Sequence, residues 1–136
     1  MENQSLLFGM TERLRVLIVG GRNGIGRQFK TMLLANSNVA EILITSRDLA
    51  WVSDMPDHEY ITRMHLDITS DDSVDDLALK LKSREFSPNL VLNCSGLLHA
   101  DDLKPERSWR NLSTIDMQRV FAVNTFGVGL LIRSIL

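Results

Sequence analysis

Three glycines, Gly20, Gly24 and Gly26, fall in the run Val19-Gly20-Gly21-Arg22-Asn23-Gly24-Ile25-Gly26, between a β-branched apolar stretch and an amphipathic one. A strand that hands over to a helix leaves the first amides of that helix without partners, and a diphosphate is what such amides hold well. Gly20 permits the sharp exit from the strand, Gly24 removes a side chain that would block a pyrophosphate, and Gly26 lets the helix lie close to the sheet. Glycine-rich turns also join strands to helices for steric reasons alone. The strand before and the helix after put anion binding ahead of that bland reading. Arg22, Asn23 and Ile25 stand among the glycines and are candidates to line the same crevice.

These residues can act together only if the chain around them alternates strand and helix. Leu14 to Val19 reads as a buried strand, and from Gly24 a helix follows with Ile25, Phe29, Met32 and Leu33 on its apolar face. Glu41 to Thr45 is the second strand and Tyr60 to Leu66 the third. Ser70 caps a helix whose inner face is Val74, Leu77 and Leu81, and Leu90 to Leu92 is the core of the fourth strand. Ser113 caps a last helix that runs to the terminus, apolar on nearly every side through Val120, Phe121, Val123, Val128, Leu131, Ile132 and Ile135. The pattern implies an α/β fold, a Rossmann-type parallel sheet of strand order 3-2-1-4 flanked by helices and truncated before the later strands. Residues 1–13 read as a flexible leader, with Met10 a conceivable start, and residues 14–136 as one incomplete nucleotide-binding domain.

The spacing G-x-x-x-G-x-G departs from the commonest dinucleotide fingerprint and resembles the short-chain dehydrogenase/reductase family, whose segment is T-G-x-x-x-G-I-G. Val19 stands where the family has threonine, which loses one side-chain hydrogen bond and leaves the glycines in register. Further landmarks follow in order. Asp67-Ile68 resembles the acidic–aliphatic pair that contacts adenine, and Asn93-Cys94-Ser95-Gly96 the N-N-A-G segment that lines the cofactor. Asn124-Thr125-Phe126-Gly127 resembles N-x-x-G, whose asparagine belongs to the catalytic tetrad. Within the family, Asn93-Cys94-Ser95-Gly96-Leu97-Leu98-His99 with Lys104-Pro105-Glu106-Arg107-Ser108 looks like the C-factor (C-signal) branch. The resemblance implies hydride transfer between a nicotinamide cofactor and a carbonyl or alcohol, and a homo-oligomer through the last helix.

Charge decides which dinucleotide is expected. Members that use NAD place an aspartate at the end of the second strand to receive the ribose hydroxyls, and the aligned residue here is Ser46. Arg47 follows it and Arg22 lies in the glycine loop, two guanidiniums that would suit a 2′-phosphate. NADP(H) is therefore expected over NAD(H). Asp48 dissents, and it is expected to point away from the phosphate; Arg47 paired only with Asp48 is the bland alternative.

The family's proton-transfer pair is a tyrosine with a lysine four residues on, together with a serine. The one tyrosine, Tyr60, is followed by Ile61, Thr62, Arg63 and Met64 and lies in the expected third strand, on the adenine side of the crevice. Of the tetrad only Asn124 is present, and the sequence stops before the strand that would bring the serine. Ser95, His99 and Asp101 are close in sequence but read as loop and rim residues.

Two function classes stay open: the N-terminal part of a reductase acting on a small molecule, or a non-catalytic nucleotide-binding module or truncated remnant of such a reductase. Composition excludes others. A net charge of −2 gives no basic coat for nucleic acid. One cysteine, Cys94, and three scattered histidines supply neither a disulfide framework nor a metal site. The N-terminal run is too short and acidic for a signal peptide, and the apolar stretch from Val120 is short for a membrane span, so a cytoplasmic setting is expected.

Overall fold

The computed structural model describes residues 12–54, 58–100 and 102–136. The leader before Glu12, with Met10, and Asp101 in the loop lie outside the described residues.

Four strands, β1 (Leu14–Val19), β2 (Val39–Ser46), β3 (Ile61–His65) and β4 (Leu90–Asn93), form one sheet in the order β3-β2-β1-β4 with every pairing parallel. This is the expected topology. Parallel strands with helices on both faces read as near-continuous apolar runs, and β1 does: Leu14, Val16, Leu17 and Ile18 are wholly inaccessible. Its alternate residues feed two separate cores. Leu17 and Val19 join Leu43, Met64, Val74, Leu77 and Leu131 on one face; Val16 and Ile18 join Leu33, Ile42, Ile44 and Ile61 on the other.

The second core is covered by α1 (Gly24–Leu34) and α2 (Leu49–Asp54), and the first by α3 (Asp71–Ser83) and the last helix. On α3 the expected face is the buried one, with Val74, Leu77 and Leu81 all at 5% exposure or less, and Ser70 accepts from the Ser73 amide as its cap. On α1 the expected face is only half right. Leu33 is buried and Phe29 packs on the core, but Ile25 and Met32 are exposed. Gly26, not Ile25, is the first-turn residue against the sheet, which rotates the inner face toward Phe29 and Leu33.

The last helix runs unbroken from Thr114 to Ile135, as α4 (Thr114–Phe121), one wide π turn (Ala122–Phe126) and α5 (Gly127–Ile135). At 22 residues it is long and apolar enough to cross a membrane, by length and composition only, because it starts ahead of the apolar stretch that begins at Val120. Leu131 is buried in the first core with Val123, Leu130 and Ile135 packed beside it, while Ile115, Phe121, Phe126 and Ile132 are exposed. Arg133 pairs with Asp75 (2.8 Å) and lies 3.9 Å from Asp71, tying α5 to α3.

Candidate functional site

Strand register puts the candidate residues along one edge of the sheet. Val19 pairs with Thr45 and Asn93, and Ser46 with His65. Gly20, Arg47, Asp67 and Cys94 thus follow the last paired residues of four adjacent strands. All lie at the carboxyl ends. The connection after β1 leads to β2 on one side of it, whereas the connection after β3 crosses back to β4 on the other, and the crevice beside such a strand is where open α/β sheets hold ligands.

The glycine loop is built by close approach. Gly20 has φ +78°, and a Cβ there would sit 3.0 Å from the Cys94 carbonyl and the Ser95 nitrogen, so the exits of β1 and β4 touch. A Cβ on Gly26 would land on the Gly20 carbonyl oxygen, 2.9 Å from Gly21 Cα. Gly24 is different. Its φ is +54° and a Cβ there meets nothing within 4 Å. That glycine faces open space, as expected of a cradle that a ligand fills. Gly21 was not singled out in the sequence, yet a side chain there would overlap Ile44; only the doubled glycine hinted at it.

The mouth of α1 is equally bare. Asn23 is its N-cap residue but makes no side-chain capping bond, and no acidic residue lies in the first turn. By contrast α3 and α4 are capped by Ser70 and Ser113 and carry Asp71, Asp72 and Asp116 in their first turns. A helix start left with its amides and partial positive charge, beside the open space at Gly24, fits a diphosphate.

At the end of β2, Ser46 is buried and its hydroxyl accepts from the Asp48 amide at 3.1 Å. Asp48 then caps α2, its Oδ1 accepting from the Trp51 amide at 3.1 Å, while its Oδ2 pairs with Arg22 across the crevice. The Trp51 amide first, and then the Arg22 guanidinium, hold the Asp48 carboxyl below the usual carboxylate range. The expectation that Asp48 turns away is therefore corrected: capping fixes its carboxylate, and Arg22, not Arg47, reaches it. Arg47 is exposed and its charge is felt at Asp67. Burial pushes Asp67 up, but two hydrogen bonds from Thr69 and the charges of Arg47 and His65 bring it below the ordinary value. Ile68 beside it is buried in the first core.

Beyond β4, Asn93 Oδ1 accepts from the Ser95 amide (3.1 Å) and hydroxyl (2.6 Å), and the Cys94 amide donates to Val19 O at 2.8 Å. Cys94 packs on the second core and burial pushes its thiol up, the opposite of an activated nucleophile. Asn124, in the π turn, clamps this loop: its Oδ1 accepts from the Leu97 amide and its Nδ2 donates to the Leu97 carbonyl, both at 2.8 Å. With both amide groups so engaged, Asn124 positions the loop that follows β4. Gly96 lies under the same side chain, where a Cβ would make an ordinary 3.7 Å contact with Asn124 Oδ1. Gly127 lets the helix pass over β3's exit, since a Cβ there would be 2.6 Å from Ile68 O.

A parallel sheet ordered 3-2-1-4, an open glycine cradle and an asparagine clamp at a π turn now stand together. Residues 14–136 match the family model described as short chain dehydrogenase. This chain belongs to the short-chain dehydrogenase family. It is similar to the NADPH-bound carbonyl reductase from chicken fatty liver at 26% identity and a TM-score of 0.73, over 91% of this chain and 48% of that one. It is similar to the putative carbonyl reductase Sniffer of Caenorhabditis elegans at 25% identity and a TM-score of 0.68, over 88% and 50%. A short chain dehydrogenase from Leptospira borgpetersenii, solved with NAD+, shares the fold at 20% identity and a TM-score of 0.69, over 90% and 44%. The chain thus spans about half the length of the solved short-chain dehydrogenases it matches. No curated protein sequence matches it.

Against this family's pattern, the structure moves one residue. Tyr60 is not in β3 but in the turn before it, 43% exposed, at the end of the sheet opposite the glycine loop. His58 makes a bridge with Ile61 there, which closes the turn and leaves the strand to start at Ile61. The tyrosine is thus placed away from the crevice altogether, more firmly than its spacing suggested. His99 is exposed on the loop after β4.

Proposed function

We propose that this chain is the cofactor-binding half of a short-chain oxidoreductase that holds NADP(H) in preference to NAD(H). The observation that carries the reading is the open cradle at Gly24 beside the uncapped start of α1, at the carboxyl edge of a family-matched sheet. The amides of α1 hold the diphosphate, Gly24 leaves room for it, and Asp67, Asn93 and Ser95 line the two flanks. Arg47 and Arg22 receive the 2′-phosphate; Ser46, neutral and buried, supplies no carboxylate to a ribose hydroxyl. The similarity to an NADPH-bound carbonyl reductase supports the same choice.

The cofactor, when bound, supplies or accepts a hydride for a carbonyl or alcohol substrate. Asn124 fixes the loop after β4, and with it the floor on which the nicotinamide half rests. Tyr60 is at the wrong end of the sheet to transfer a proton there. A non-catalytic nucleotide-binding module is the second reading, favoured by that same placement. The run from Asn93 to His99 supports a place in the C-factor branch.

The last helix is read as a sheet-covering element and not a membrane span, because Leu131 is buried and Arg133 is paired to α3. Its exposed Phe121, Phe126 and Ile132 fit a second copy of the chain, and the setting we assign is the cytoplasm. Calorimetric titration of the 136-residue chain with NADPH and NADH tests the cofactor reading. Binding of NADPH at least tenfold tighter than NADH, roughly 1.4 kcal/mol, is expected; equal affinities would remove the preference. Sedimentation of the same sample should show a dimer or larger, and a monomer throughout would contradict the partner.

A further inference from the structure

The ion pair between Arg22 and Asp48 joins two segments distant in sequence, the glycine loop and the N-cap of α2, across the corner where the adenosine ribose would lie. Asp48 is fixed at both ends of its carboxylate. Oδ1 accepts from the Trp51 amide, Oδ2 holds Arg22, and its own amide donates to Ser46 Oγ, so the group cannot swing aside without uncapping α2. Arg22 is the movable partner, on a loop and 45% exposed.

We propose that Asp48 is a specificity-determining residue: its carboxylate occupies the anion seat of Arg22, and only a dinucleotide bearing a 2′-phosphate displaces it. This rests on the cofactor reading above. The physics is a competition for one guanidinium. An ion pair as exposed as this one is weak and easily exchanged. A phosphate monoester carries close to two charges and offers paired oxygens to a guanidinium, so it wins Arg22 from a single carboxylate. A ribose hydroxyl does not, and with NAD(H) the Arg22–Asp48 pair stays closed. Arg47, which makes no pair with Asp48, serves the phosphate without this competition. Asp48 thus lowers the affinity for NADP(H) while leaving that for NAD(H) unchanged.

The test uses calorimetric titration of the full chain and its Asp48→Asn variant with NADPH and with NADH. Asparagine keeps an acceptor for the Trp51 amide and is as good a cap, so the fold is preserved, checked by an unchanged thermal melt. Asp48→Asn is expected to tighten NADPH about tenfold and to move NADH less than about twofold. In an Arg22→Ala background, the same change is expected to gain less than about threefold, because nothing is left to compete for. A gain equal in both backgrounds would show simple repulsion of the phosphate and overturn the proposal. So would no gain, or the same gain for both dinucleotides. NADPH bound tightly by the unaltered chain with no response to Asp48→Asn sinks this inference alone; no binding of either dinucleotide by any variant sinks the cofactor reading with it.

Discussion

Gly24→Ala is expected to weaken NADPH binding by about 10- to 100-fold while leaving the chain folded. The reasoning separates two costs. A methyl on Gly24 touches nothing within 4 Å, so the fold loses only what an L-residue loses at φ +54°, about 1–2 kcal/mol. The same methyl stands in the cradle, where it keeps the diphosphate from the α1 amides; each lost charge-assisted bond is worth roughly 1.5–3 kcal/mol. Gly26→Ala is expected to do the reverse. Its methyl lands on the Gly20 carbonyl oxygen inside a packed turn, a loss of about 1–3 kcal/mol of stability that urea unfolding would read directly. If Gly24→Ala bound NADPH as tightly as the parent, the glycine would serve the turn and not a ligand.

Arg47→Ala should have the second large effect, and a selective one. Arg47 is exposed, follows the buried Ser46, and sends its charge toward Asp67 at the mouth of β3. Its removal costs the 2′-phosphate a charge-assisted contact, about 1.5–3 kcal/mol or roughly 10- to 100-fold in affinity. NADH offers only a hydroxyl there and should bind almost as before. Titrations of the variant with both dinucleotides decide it: equal losses for the two would mean that Arg47 supports the loop and not the phosphate. The effect should shrink as salt rises, since the group is in solvent.

Much of this was legible because the signals were local. The β-branched runs gave the strands, their alternation with helices gave the order 3-2-1-4, and Ser70 and Ser113 capped where their spacing said they would. The glycines were legible for the same reason, each being a demand of the backbone at one point. What escaped was set by contacts between segments distant in sequence. Gly21 matters through Ile44 on the neighbouring strand, and the packing role of Gly127, which its motif alone did not reveal, comes through the Ile68 carbonyl. Periodicity placed Ile25 and Met32 inside, although the tight seat of Gly26 on Gly20 fixes how α1 is rotated and leaves both in solvent.

At the corner after β2 one expectation was overturned, that Asp48 points away, for a related reason. The short helix α2, too brief to announce itself by periodicity, takes Asp48 as its cap and so presents it to Arg22. Trp109 is 75% exposed with the Arg110 guanidinium 5.1 Å from its ring centre. Trp51 packs on the second core, with Arg63 over its ring at 5.6 Å.

The claim that the α1 start grips a diphosphate is met most directly by crystals of this chain soaked in NADPH. Density for the two bridging phosphates within hydrogen-bond distance of the amides following Asn23, lying over the bare face of Gly24, is the expected result. A well-ordered crystal in which the soak leaves that crevice filled by side chains, or seats the dinucleotide elsewhere, would contradict it.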